Sequence, residues 1–210
     1  MGTKFGKNRK KCGKKGDATK NVEEENSTLG IDDTNQRKIP ASVMWYLSPI
    51  DRLRRLFSNP RDSKLMQWWA LDGCKKGDGV LCQPFDAQQC KGFDVKYPKY
   101  GEDPRNERFS WSTDGMNPFD DRTSTHSTWP FLLSIYNLPP WSFMKRKYFL
   151  LTMIISGPKA PGIDIDVFLE PLMQEMEILW KEGVEMWDDL VKSAFTLRVI
   201  IFVTIIDYPG

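Results

Sequence analysis

Residues 108–119 read RFSWSTDGMNPF. An extended run from Arg108 to Thr113 delivers one carboxylate, Asp114, into a turn built from Gly115, Asn117 and Pro118. Gly permits positive φ and Pro fixes φ, so the turn itself needs no further explanation. The residues downstream decide the fold. Residues 128–137 (TWPFLLSIYN) form a second extended run, LPPW (138–141) forces a break, and KYFLLTMII (147–155) reads as a third, buried strand. After the loop GPKAPG (157–162), apolar residues Leu169, Leu172, Met173, Met176, Leu179 and Trp180 recur at helical spacing from Asp166 to Lys181, with Pro171 in the early turns. A fourth strand, RVIIFVTII (198–206), ends at Asp207. Its unbroken apolar run suits a central strand covered on both faces.

The order is therefore strand, strand, strand, helix, strand. Three connected strands make an antiparallel meander, and a crossover helix returns the fourth parallel to one of them. With the fourth beside the first, Asp114 and Asp207 emerge at neighbouring strand ends.

The chain has 210 residues, enough for one domain with a tail, and its eight Trp and twelve Phe can fill a core. A net charge of +2 does not by itself imply a nucleic-acid partner, but the distribution is uneven. Residues 1–38 are Lys-rich and then acidic, with almost nothing apolar to bury, and read as a disordered leader whose bases, Lys10 and Lys11 among them, suit nuclear import or phosphate contact. Residues 39–104 read as a helical and irregular segment. Helices are expected over 48–57, with Arg52, Arg54 and Arg55 on the turn, and over 62–71; residues 73–104 are expected as irregular connection. The arginines solvate an exposed face or contact DNA. Residues 105–210 make the sheet-bearing domain.

No secretory signal opens the chain, and the apolar runs 148–155 and 199–206 fall far short of the ~20 residues of a membrane helix. No membrane association and an intracellular setting are expected. Cys12, Cys74, Cys82 and Cys90 form no CxxC pair, and the lone His126 lies well downstream, so neither zinc nor a disulfide is expected.

Two clustered carboxylates repel unless a cation lies between them, and such oxygen ligands suit Mg²⁺ or Mn²⁺. Metal-assisted phosphodiester chemistry of this kind usually takes a third carboxylate. STDGMNPF (112–119), STHSTWP (124–130), IYNLPPW (135–141), SGPKAPGIDID (156–166) and FTLR with TIIDYP (195–209) closely resemble the transposase of plant CACTA (En/Spm-type) DNA transposons. The resemblance extends through VMWYLSPIDRLRRLF (43–57) and DPRNERF (103–109). It implies a cut-and-paste transposase with an RNase H-like fold and an Asp-Asp-Glu triad holding divalent metal. Asp114 matches the first acid and Asp207 the second. DNA at transposon ends, a transposase oligomer or accessory transposon protein, and the nucleus follow as expected partners and setting.

The family's third acid lies beyond the second Asp, past Gly210, and so do the closing elements of the fold. The expected architecture is thus an incomplete RNase H-like mixed α/β sheet, and the expected function that of a transposase fragment or derivative, inactive alone. The competing reading is a non-enzymatic DNA-binding or interaction protein derived from a transposase. Asp120, Asp121, Asp164, Asp166 and Glu170 read as solvated or helix-capping acids rather than substitutes for the third. Ser124, His126 and Ser127 lack the orienting acid and oxyanion site of a nucleophilic triad. Trp141 reads as a core plug. Lys145, Arg146 and Lys147 are candidates for phosphate contact.

Overall fold

A computed structural model describes residues 3–6, 42–73, 84–119 and 126–206. Its centre is a six-stranded mixed sheet in the order β1-β2-β5-β4-β3-β8. The strands are β1 (Thr3–Gly6), β2 (Val43–Tyr46), β3 (Glu107–Thr113), β4 (Trp129–Ile135), β5 (Phe149–Ser156) and β8 (Val199–Ile206). A two-stranded hairpin, β6 (Val184–Asp188) and β7 (Ser193–Leu197), stands apart from it. The expected meander is β3, β4 and β5, each antiparallel to the next, and β8 returns parallel to β3.

Among the described residues seven helices accompany the strands: α1 (Pro49–Phe57), α2 (Pro60–Met66), α3 (Trp68–Leu71), α4 (Gln88–Lys96), α5 (Pro98–Gly101), α6 (Pro140–Phe143) and α7 (Ile165–Lys181). The starts of α1 and α2 follow one recipe. Ser48 Oγ accepts from the Ile50 amide at 3.2 Å and Asn59 Oδ1 from the Arg61 amide at 3.0 Å. Each cap is followed by a Pro, whose missing N–H costs nothing in the first turn. Leu53 and Phe57 on α1, Leu172, Met176 and Leu179 on α7, and Met186, Phe195 and Leu197 on the hairpin bury against Phe109, Leu133, Ile135 and Leu150 of the sheet. A smaller cluster joins Met44, Phe131, Met153 and Ile155 to Phe168 near the start of α7. No helix among the described residues is long and apolar enough to cross a membrane.

Several expectations need correction. β8 is an edge strand among the described residues rather than a central one, with Ile205 53% exposed, because no described strand pairs beyond it. The segment 73–104 is not all irregular: α4 and α5 form there, since Cys90 and Tyr100 find buried positions. The helix expected over 62–71 divides at Gln67 into α2 and α3. The hairpin between α7 and β8 was missed, because its turn carries Lys192 at φ 55° where a Gly or Asn would have signalled it. Trp141 is no core plug. It is 63% exposed and rests edge-on against Trp68, 5.1 Å away. Of the leader 1–38, Thr3–Gly6 form an edge strand against Val43–Tyr46, and the rest lies outside the described residues.

Candidate functional site

The sheet has two unlike ends. At the upper end, β3 and β8 finish side by side, with Thr113 opposite Ile206 in parallel register. Asp114 follows Thr113 directly and is exposed. Asp207 follows Ile206 in sequence but lies outside the described residues, as do Asp120, Asp121 and Ser124. Among the described residues no group of three or more His, Cys, Asp or Glu side chains is arranged to hold a metal. Asp114 offers one exposed carboxylate at the strand terminus.

Three of the motifs read from the sequence converge on this end. The β3–β4 ladder closes with the Thr113 hydroxyl donating to the Pro130 carbonyl at 3.0 Å, and resumes past the turn as a bridge between Met116 and Thr128. Gly115 suits that approach, because a Cβ there would lie 3.0 Å from both Ser127 Oγ and the Trp129 ring, and one of those side chains would have to give. Ser127 Oγ in turn accepts from Trp129 Nε1 at 2.9 Å, while the Ser127 amide donates to the Pro158 carbonyl at 2.9 Å. A Cβ on Gly157 would lie 2.5 Å from the Ser127 carbonyl oxygen, so the loop after β5 also reaches the site only as glycine. STDGMNPF, residues 126–130 (HSTWP) and SGPKAPG are thus three strand-end segments that meet around Ser127.

His126 takes a structural part there. Its ring meets Phe119 edge-on at 5.0 Å, and Nδ1 lies 3.5 Å from Thr128 Oγ1. Asp166 and Glu170, on the first turns of α7, line a cleft of about 580 Å³ with Trp111 of β3.

The basic candidates sit elsewhere. Lys145, Arg146 and Lys147 precede β5 and therefore flank the lower end, opposite Asp114. Lys147 Nζ donates to both Asp62 oxygens, at 2.6 and 2.5 Å, and Tyr148 donates its hydroxyl to Asp62 at 3.0 Å. Burial, and next the bond to Asp62, push the Tyr148 hydroxyl up to about 12. Arg54 pairs with Asp51 at 3.4 Å on an exposed surface, and Arg55 lines a cleft of about 330 Å³ with Arg52. Lys10 and Lys11 lie outside the described residues. Cys90 is a free, buried thiol; the other cysteines are also outside.

Sequence reasoning missed the polar lattice at the lower end. Asn106 donates from Nδ2 to the Tyr100 carbonyl at 2.8 Å and accepts at Oδ1 from the Arg198 amide at 2.9 Å. Asn137 Nδ2 donates to the Asn106 carbonyl at 2.8 Å, and Asn137 Oδ1 accepts from the Arg108 amide at 2.9 Å. Asp188, fully buried, accepts from Ser63 at 2.6 Å, Gln67 at 3.1 Å and the Leu190 amide at 2.9 Å. Arg108 is buried beside Asp94 and within 5.7 Å of the rings of Trp69, Phe93 and Tyr100. The density of polar residues in DPRNERF was the available signal.

Residues 78–210 match the model of the transposase family tnp2. A comparison with curated proteins returns no match.

Proposed function

The chain belongs to the tnp2 transposase family, and from that premise we propose that residues 105–210 are part of an RNase H-like catalytic domain of the CACTA type. In this reading Asp114 and Asp207 hold Mg²⁺ or Mn²⁺ for cleavage and transfer of DNA at transposon ends, in the nucleus. Supporting it above all is the parallel register of β3 and β8, in which the residues before the two aspartates, Thr113 and Ile206, are partners. Such a cation, when bound, would activate the attacking oxygen and stabilise the leaving one. Asp114 supplies an exposed carboxylate to it, and the locked contacts of Gly115, Ser127 and Gly157 fix the strand ends that present it.

The bases free to meet phosphate are fewer than the sequence suggested, since Lys147 and Arg54 are committed to Asp62 and Asp51. A transposase oligomer or an accessory transposon protein is the partner this reading calls for.

Fe²⁺ substituted for Mg²⁺, with ascorbate and peroxide, cuts a backbone beside the bound ion. The expected products are fragments ending near residues 114 and 207, abolished in Asp114→Asn and in Asp207→Asn. Cleavage at neither place, or a pattern indifferent to both substitutions, would overturn the assignment.

A further inference from the structure

At the lower end, α4, α5 and the last turn of α7 enclose a cavity of about 340 Å³ lined by Tyr97, Tyr100 and Trp180 with Lys96, Lys99 and Arg198. Its walls are aromatic. Trp180 stands 5.4 Å from Tyr97 at 81° and 5.6 Å from Tyr100 at 41°, and Phe93 backs them, 5.4 Å from Tyr100. Tyr97 is 37% exposed, so an aromatic surface remains open to a ligand.

Around these rings lie three cations and, among the described residues, no lining carboxylate. Lys96 and Lys99 are exposed, and the Lys96 ammonium lies 5.5 Å from the Tyr97 ring centre. The Arg198 guanidinium donates to the Glu182 carbonyl, at 3.5 Å. Of the acids near this corner, Asp94 is paired with the buried Arg108, and Glu182 meets Arg198 through its backbone carbonyl. Helix C-termini favour cations at such a corner, which accounts for a base or two there. It does not account for three flexible bases ringing an open set of aromatic faces, none of them in an ion pair with a described residue.

We propose that this cavity receives one unpaired nucleotide of a single DNA strand. The base stacks on the exposed face of Tyr97 with Trp180 edge-on to it, and the flanking phosphates meet Lys96, Lys99 and Arg198. Every nucleobase offers a flat π face, and grouped bases gain by releasing condensed counterions, so this combination selects single strands by chemistry rather than by sequence. The site goes beyond the strand-end reading. It needs no metal, and it lies about one α7 length, roughly 25 Å, from the end that carries Asp114.

The test is fluorescence anisotropy of a labelled short oligothymidylate and of a hairpin duplex of equal length, with the full chain in EDTA. The single strand is expected to bind about tenfold more tightly than the duplex. Lys96→Glu with Lys99→Glu, both exposed, should weaken single-strand binding at least about tenfold and flatten its salt dependence, by roughly 0.7 for each phosphate no longer neutralised. Tyr97→Ala should weaken it about fivefold, and Trp141→Ala, at an exposed Trp outside the cavity, should change it less than about twofold. Urea unfolding of each variant establishes that the fold is intact. Equal affinity for strand and duplex, or binding that survives both the lysine and the tyrosine substitutions, would overturn the proposal. With EDTA present, such a failure leaves the Fe²⁺ cleavage result untouched, and the converse also holds.

Discussion

The two ends of the sheet are built from the same strands and by opposite rules. At the lower end, Asn106, Asn137, Arg108 and Asp188 are buried, and their side chains stitch β3, β4, β8, α5 and the hairpin together. At the upper end, Asp114 to Phe119 are all exposed, and the chain is positioned by close approach at two glycines and by the small hydroxyls of Thr113 and Ser127. One end holds the fold together; the other presents groups to whatever arrives. A buried amide or carboxyl that loses its partner is costly, whereas an exposed carboxylate is almost free to change. The difference is therefore measurable as stability.

The largest expected effect lies in the lower lattice. Asn106→Ala strands two buried groups at once, the Tyr100 carbonyl and the Arg198 amide. At roughly 1–3 kcal/mol for each orphaned partner, the total loss should be about 3–5 kcal/mol by urea unfolding. A loss below about 1 kcal/mol would mean that water replaces the asparagine, and that the lower end is not the clamp described.

Glu107 sharpens the comparison from the same end. It is fully buried, neither of its oxygens has a hydrogen-bond partner among the described residues, and burial raises its carboxyl well above the ordinary 4.5, with Arg108 only partly opposing. The folded state therefore keeps a proton that the unfolded chain gives up above pH 4.5. Its contribution is intact below that value and declines as pH rises toward the folded value, by up to about 1.4 kcal/mol per pH unit. Glu107→Gln keeps the shape of the protonated acid and removes the slope. The variant should be the more stable near neutral pH, with the gap closing toward pH 4.5. Parallel urea midpoints for the two proteins across that range would show that Glu107 is solvated after all.

How much of this was legible in the sequence differs between the ends for a physical reason. The β3–β4–β5 meander, α1, α7 and the parallel return of β8 follow from local periodicity and turn residues, which act within a few positions. The upper end could be read because its motifs are turns, and Gly115, Pro118 and Gly157 announce themselves. The lower lattice could not, because a buried Asn or Asp looks in sequence like any surface polar residue until its distant partner is known: Asn106 meets Arg198, and Asp188 meets Ser63. The same blindness misplaced Trp141, whose bulk promised burial that the surroundings of α6 do not provide. It also hid the aromatic cavity, assembled from α4, α7 and the residue before β8.

The smallest expected effect belongs to Asp114, and its smallness is the point. The side chain is exposed, so its removal empties no core position. Asp114→Ala should shift stability by no more than about 0.5 kcal/mol, in the range of ordinary surface changes. Added Mg²⁺ should then stabilise the parent chain and leave the variant unchanged, because a ligand stabilises only the state that binds it. A loss of several kcal/mol would instead make Asp114 part of the scaffold. The two ends of the sheet would then share one role, and the case for a chemical one at the upper end would lose its footing.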